Sequence, residues 1–286
     1  MPQEPKYSSQ EIKHFLAVAR EAALKAGEFL RNKLDRRQRI AYKGVVNLVT
    51  DCDCRSQEII TTALKRSFPG HGILAEEDEE TKQTDSSGYR WLIDPLDGTT
   101  NFAHRLPIFC ISIALEKAGK VILGLVYDPM RQEFFQAVRG QGAFLNGRPI
   151  RVSDTRLLNH SLLATGFPYD LRESCLNNLT HFENFLFRAQ AIRRCGAAAL
   201  DLCYVAWGRF DGFWELKLNP WDVAAGSLIV EEAGGMVSDF RGRKFILERR
   251  EIVATNGFIH RAMLRVLKKG LMKQAGQIKM EKREPG

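Results

Sequence analysis

No stretch of this chain approaches the roughly 20 apolar residues that a membrane-spanning helix needs. The first residues hold no apolar signal region, because charged and polar residues dominate positions 3–14. Cysteine is sparse, six in 286 residues, and none forms a C-x-x-C pair. That argues against a disulfide scaffold or a zinc knuckle. It fits free thiols of a cytoplasmic protein, with Cys195 and Cys203 as small core residues. Internal repeats and low-complexity linkers are also missing, which leaves one large domain or two intimately joined halves. What the chain has in excess is positive charge: 42 Lys and Arg against 34 Asp and Glu give +8. The excess gathers at 31–43, 241–250 and 261–283. A solvated surface and frayed tail explain it most simply. Steering of anionic substrates or contact with RNA is the sharper reading.

The most informative stretch is Asp94-Pro95-Leu96-Asp97-Gly98-Thr99-Thr100-Asn101-Phe102. The preceding Tyr89-Arg90-Trp91-Leu92-Ile93 reads as a buried strand, with Asp94 at its end. Pro95 and Gly98 are turn residues, so a tight chain reversal is expected there. Two carboxylates then project onto one spot, which calls for a cation or protons between them. The N–H groups of Gly98, Thr99 and Thr100 follow as anion donors. Metal ligands beside a phosphate cradle point to metal-assisted phosphate chemistry.

Ser8-Ser9-Gln10-Glu11 resembles a capping box, and apolar spacing from Ile12 to Leu30 predicts a helix ending near Leu34. Cys52 and Cys54 flank Asp53 in what reads as an extended segment before a helix at 55–67. A strand at 72–75 delivers Glu76 and Glu77. Alternation and turn residues predict hairpin strands at 111–117, 121–127, 133–138 and 143–145. Helices are expected at 171–188, 197–207, 222–233 and 258–269, and strands at 190–194, 211–215, 236–239 and 251–254. The expected break lies near 153–160. It gives an N-terminal half 1–155, a C-terminal half 156–270 and a disordered basic tail 271–286.

Trp221-Asp222-Val223-Ala224-Ala225-Gly226 opens a helix in which Asp222 occupies the N-cap position. Gly226 implies close packing against another backbone, and Gly234-Gly235 ends the helix. The acidic run Glu77-Asp78-Glu79-Glu80 reads as a solvated loop, His104 as structural, Asp51 as solvent-facing, and the four tryptophans as core.

Together these motifs resemble the inositol monophosphatase family of Mg²⁺-dependent, lithium-sensitive sugar phosphatases related to fructose-1,6-bisphosphatase. The likeness rests on residues 94–100 and 221–226, on Glu231-Glu232-Ala233-Gly234-Gly235, on Leu48-Val49-Thr50 before Asp53, and on Glu76-Glu77. It runs from about residue 12 to 268. Ala75 departs from the glycine usual before that acidic pair.

The resemblance implies an α+β fold, a layered α-β-α-β-α sandwich, and a homodimer. It implies two to three Mg²⁺ per site. Glu76, Asp94 and the Leu96 carbonyl would hold one ion. Asp94, Asp97 and Asp222 would hold a second, and Glu76 would help with a third. Thr99, assisted by Asp53, would orient the attacking water, and the N–H groups of Gly98 and Thr99 would hold phosphate. Glu215 and the Gly196-Ala197-Ala198 turn would bind hydroxyls of inositol. Lys43 loosely matches a basic residue on a loop near the metals. The implied reaction is hydrolysis of myo-inositol monophosphate. Fructose 1,6-bisphosphate, 3′-phosphoadenosine phosphates and histidinol phosphate are the alternative substrates. A non-catalytic alternative is binding to RNA or a transcription complex, as some bacterial relatives do.

Overall fold

The computed structural model describes residues 8–36, 40–42, 48–78, 87–174 and 176–281. Lys43, Glu79 and Glu80, named above, lie outside the described residues, as do Cys175, one of the six cysteines, and the tail beyond Glu281.

Helix α1 (Ser9–Lys33) opens on the expected capping box: Glu11 N–H donates to Ser8 Oγ at 3.1 Å and Ser8 N–H to Glu11 Oε2 at 3.1 Å. Its buried stripe, Ile12, Phe15, Ala19, Ala23, Ala26 and Leu30, recurs at helical spacing. Strands β1 (Ile40–Tyr42) and β2 (Leu48–Thr50) form a small antiparallel pair. Helix α2 (Asp51–Ser67) starts earlier than expected, because Thr50 and Asp53 cap it reciprocally. Asp51-Cys52-Asp53 is therefore the first helical turn rather than an extended segment.

A seven-stranded sheet follows. It comprises β3 (Gly72–Ala75) and β4 (Tyr89–Asp97), then, after the short α3 (Thr99–Ala103), β5 (Cys110–Lys117), β6 (Lys120–Asp128), β7 (Glu133–Val138), β8 (Ala143–Leu145) and β9 (Arg148–Pro149). Only β3 and β4 pair in parallel; the other neighbours are antiparallel, as hairpin connections require.

The second sheet has five strands in the order β11-β10-β12-β14-β13. It contains β10 (Leu162–Thr165), β11 (Ala191–Arg193), β12 (Gly212–Leu216), β13 (Met236–Ser238) and β14 (Glu251–Thr255). Helices α4 (Leu179–Leu186), α5 (Ala198–Ala206), α6 (Pro220–Glu232) and α7 (His260–Glu281) complete the chain.

Helices α1 and α2 cover one face of the larger sheet, α5 and α6 touch both sheets, and α4 and α7 cover the far side of the smaller sheet. The result is an α-β-α-β-α sandwich. Strands β5 and β6 are buried along nearly their whole length, which follows from helices on both faces. Gly124 of β6 lets α6 approach: a Cβ there would sit 2.8 Å from the Ala225 carbonyl oxygen. Gly226 also permits close packing, but its neighbour is the Leu202 side chain of α5 rather than a backbone.

Two expected helices change length. The one expected at 171–188 shrinks to α4, because residues 168–174 fold into turns and Lys217 Nζ grips Asp170 at 2.5 Å and Ser174 at 2.8 Å. The last one runs on to Glu281, through part of the segment expected to be a disordered tail. Trp91 and Trp214 are core residues, whereas Trp207 and Trp221 are only half-buried.

His260, 3 % exposed, sits between the Ser238 hydroxyl at 2.9 Å and the Thr255 hydroxyl at 3.0 Å. Burial pushes its pKa down from 6.5 to about 4. The unfolded chain therefore binds more protons between those values, so stability falls as pH drops from about 6.5 towards 4. The shift corresponds to about 3 kcal/mol. Denaturant unfolding from pH 7 to 4 should show that much less acid loss in His260→Gln than in the parent.

Candidate active site

Strand β4 does not reverse at Pro95 as expected. It continues to Asp97 with a register irregularity between Asp94 and Asp97, which re-aims the strand where it leaves the sheet. Asp94 stays beside Ser112 of β5 and Asp97 beside Cys110. Gly98 follows at φ +99°, a left-handed conformation that glycine accepts without strain, and caps α3. A Cβ there would also press on the Ile108 carbonyl at 3.0 Å and the Gly196 carbonyl at 3.3 Å. The N–H groups of the first α3 turn have no helical partner, so they face outward as donors.

The carboxyls converge on one cleft of about 480 Å³. Glu76, Asp94 and Asp97 line it from the first sheet, and Asp222 and Glu215 from the second half. Gly98, Thr99, Gly196, Ala197, Ala198 and the Leu96 backbone region line it too. Asp222 is not an N-cap. Asn219 caps α6, Pro220 is its first residue, and Asp222 Oδ2 accepts the Asn219 N–H at 2.7 Å. This reciprocal cap points the acid back towards the cleft. Ser112 Oγ donates to the Trp221 carbonyl at 3.0 Å, tying β5 to the start of α6.

Asp97 ties the end of β4 to the start of α5. Its carboxylate accepts the N–H of Ala199 at 2.7 Å and of Ala198 at 3.2 Å. Ala198 N–H is thus engaged with Asp97, rather than presented to a substrate hydroxyl. Asn101 adds a second tie by donating to the Cys195 carbonyl at 2.8 Å.

Behind the cleft, Asp53 is fully buried. Its Oδ1 accepts the Thr99 hydroxyl at 2.8 Å, while its Oδ2 accepts Thr50 N–H at 2.8 Å and Thr50 Oγ1 at 2.6 Å. Thr99 Oγ1 also lies 3.0 Å from the Leu96 carbonyl. Ser56 holds the Pro95 carbonyl at 2.7 Å, and Glu76 N–H donates to Ile93 at 3.2 Å, which sets β3 against β4 at the acidic end.

The acids raise one another. Burial, then the charges of Glu76, Asp97 and Asp222, push Asp94 well above the usual carboxylate range. Burial pushes Asp97 and Asp222 up to about 7, partly offset by their backbone N–H partners. Glu215 rises well above its ordinary value through burial, then the charges of Asp201, Asp222 and Asp97. Among the described residues no Lys or Arg forms an ion pair with Asp94, Asp97 or Asp222. Hard oxygen donors that repel one another in a low-dielectric cleft fit a hard divalent cation. Among the described residues, however, no three His, Cys, Asp or Glu side chains are grouped closely enough to hold a metal ion as they stand. The donors line the wall, with Asp94, Asp97 and Asp222 each accepting a backbone N–H.

Sequence reasoning gave no role to several residues that line or support the cleft. Gly166 packs directly against the Glu215 carboxyl, leaving no space for a Cβ. Asn178, fully buried, donates to the Gly166 carbonyl at 2.6 Å and accepts Trp214 Nε1 at 2.8 Å. Asp201 of α5 lines the cleft, and burial raises its carboxyl well above the usual range. Gly166-Phe167-Pro168 carried a turn signal; Asn178 carried none, and Asp201 stood only within the segment 196–201 that resembles bacterial members of the family. His104 is exposed and outside the cleft, as expected, and Asp51 is exposed. The described cysteines Cys52, Cys54, Cys110, Cys195 and Cys203 are free thiols.

The inositol monophosphatase family profile matches residues 11–279. The chain belongs to the inositol monophosphatase family. It is 45% identical over 266 residues to an inositol-1-monophosphatase of Synechocystis, covering 93% of this chain and 92% of that one. It is 44% identical over 251 residues to the Nus factor SuhB of Escherichia coli, covering 87% and 94%. The inositol monophosphatase structure from Anabaena superposes with a TM-score of 0.83 at 44% identity, covering 91% of this chain and 97% of that one. Family membership makes this chain a phosphatase and agrees with the layered sandwich. No described helix is long and apolar enough to cross a membrane.

Proposed function

We propose that this phosphatase hydrolyses myo-inositol monophosphate with Mg²⁺ held by Glu76, Asp94, the Leu96 carbonyl, Asp97 and Asp222. The observation that carries the reading is the convergence of buried carboxyls from both halves on one cleft beside the α3 amides. The oxygen-only donor set supports Mg²⁺ over zinc, with two to three ions per site. Bound divalent cations supply charge neutralisation for the phosphate and lower the pKa of an attacking water.

The protein residues do the positioning. The N–H groups of Gly98 and Thr99 hold the phosphate oxygens. Thr99 Oγ1, already donating to Asp53 at 2.8 Å, aligns the attacking water and passes its proton towards that carboxylate. Asp53 is held by Thr50 through two further bonds, so the Thr99 rotamer is preset. Glu76 completes the acidic wall on the water side. Glu215 and backbone groups of the Gly196-Ala197-Ala198 turn other than the Ala198 N–H, which Asp97 holds, orient the polyol. This preorganised electrostatics suits a reaction whose enzymatic acceleration reaches up to ~10²¹. The free thiols agree with a cytoplasmic site. Exposed Leu179, Leu186 and Phe187, on and just after α4, support a homodimer.

A panel of inositol 1-phosphate, fructose 1,6-bisphosphate, 3′-phosphoadenosine 5′-phosphate and histidinol phosphate tests the substrate. The expected result is the highest kcat/KM for inositol 1-phosphate, full dependence on Mg²⁺ and inhibition by lithium. Turnover unchanged in excess chelator would end the reading. Relatives named Nus factor SuhB, together with the +8 charge, favour a second role in contacting RNA or a transcription complex.

A further inference from the structure

Helix α5, Ala198–Ala206, reads Ala-Ala-Leu-Asp-Leu-Cys-Tyr-Val-Ala, and Asp201 is its one charged residue. Its neighbours Leu200, Leu202 and Cys203 are fully buried, and Asp201 itself is 2 % exposed. Among the described residues no basic group pairs with it. Cys195 hydrogen-bonds to its carboxyl, yet Oδ1 has no hydrogen-bond partner. An unpartnered buried carboxyl oxygen is costly. Packing alone would be served better by an apolar residue there.

The place of Asp201 explains the cost. Its side chain lines the same cleft as Glu215, close enough for the two charges to act on each other. One turn earlier in α5, the N–H groups of Ala198 and Ala199 bind Asp97. The carboxyl therefore stands at a fixed offset from the reacting end of the cleft. We propose that Asp201 is a specificity-determining residue that accepts a ring hydroxyl of the polyol and forms, with Glu215, a two-carboxyl clamp remote from the phosphate. The proposal rests on the polyol-phosphate reading above. A site built to bond a hydroxyl discriminates strongly against analogues lacking it, because its own polar groups are then left unpaired.

The test measures kcat and KM for inositol 1-phosphate and for phenyl phosphate, which has no hydroxyl, in the parent, Asp201→Asn and Asp201→Ala. Direct binding of free myo-inositol is measured alongside. Asp201→Ala should raise KM for inositol 1-phosphate by about tenfold or more with kcat changed less than about threefold, consistent with loss of one hydrogen bond. Kinetics on phenyl phosphate should stay within about twofold, and myo-inositol affinity should fall by the same factor as KM rises. Asp201→Asn, which keeps size and one acceptor, should recover part of that loss. An equal fall on both substrates would make Asp201 structural, and unchanged KM and inositol affinity would remove it from recognition. If the parent releases no phosphate from inositol 1-phosphate, the functional reading fails by itself. The clamp is then judged by the same ratios on the sugar phosphate it does hydrolyse.

Discussion

Asp94→Asn is expected to lower kcat/KM for inositol 1-phosphate by about 10³-fold or more, without destabilising the metal-free protein. Asp94 feels Glu76, Asp97 and Asp222 at once, and it is 2 % exposed. The amide keeps its size and can still accept the Leu96 N–H, which Asp94 Oδ1 accepts at 3.0 Å. What disappears is the charge that makes the acidic wall attractive to cations. Removing that repulsion should leave the melting temperature in chelator at pH 8 equal to the parent or a few degrees higher. Mg²⁺ should raise the melting temperature of the parent by mass action, but not of the variant. Activity and apo stability then move in opposite directions. A variant that melts well below the parent would make Asp94 a folding residue instead. Asp97→Asn is a less clean probe, because both Asp97 oxygens accept backbone N–H groups of α5. An amide nitrogen would face one of those donors.

Gly166→Ala is the second large expected effect. A Cβ at this position would overlap the Glu215 carboxyl, which is itself buried and could yield only by turning into the cleft it lines. Asn178 holds the Gly166 carbonyl and Trp214 together, so the backbone cannot back away cheaply. Glu215 must shift, and its bond to the substrate is lost. Losing a hydrogen bond to a charged group costs about 1.5–3 kcal/mol, or roughly 10- to 100-fold in KM for inositol 1-phosphate. Phenyl phosphate should be affected little. Comparable losses on both substrates would show that Gly166 supports the whole cleft rather than the polyol end.

Much of this arrangement was legible because its residues also serve local rules. Ser8 and Glu11 announce α1, Asn146-Gly147 announces a hairpin turn, and Asp94 to Thr100 combine like charges with turn residues and amide donors. Two local readings failed through tertiary competition. Pro95 suggested a reversal, but pairing with β5 carries the strand on to Asp97. Asp222 looked like an N-cap, but Asn219 and Pro220 start the helix one turn-position earlier and leave the acid reaching back. The polyol end was hidden for a different reason. Gly166 and Asp201 lie far apart in sequence, and only the packing of β10, α5 and β12 puts them on one cleft, with Asn178 holding Gly166 from behind. No spacing in one segment reports a contact of that kind.

Calorimetric titration of Mg²⁺ into the metal-free protein tests the central claim most directly. The account predicts saturable uptake of more than one ion per chain, lost or sharply weakened in Asp94→Asn and in Asp222→Asn, whose acids come from opposite halves. No uptake by the parent, or uptake unchanged in both variants, would contradict it.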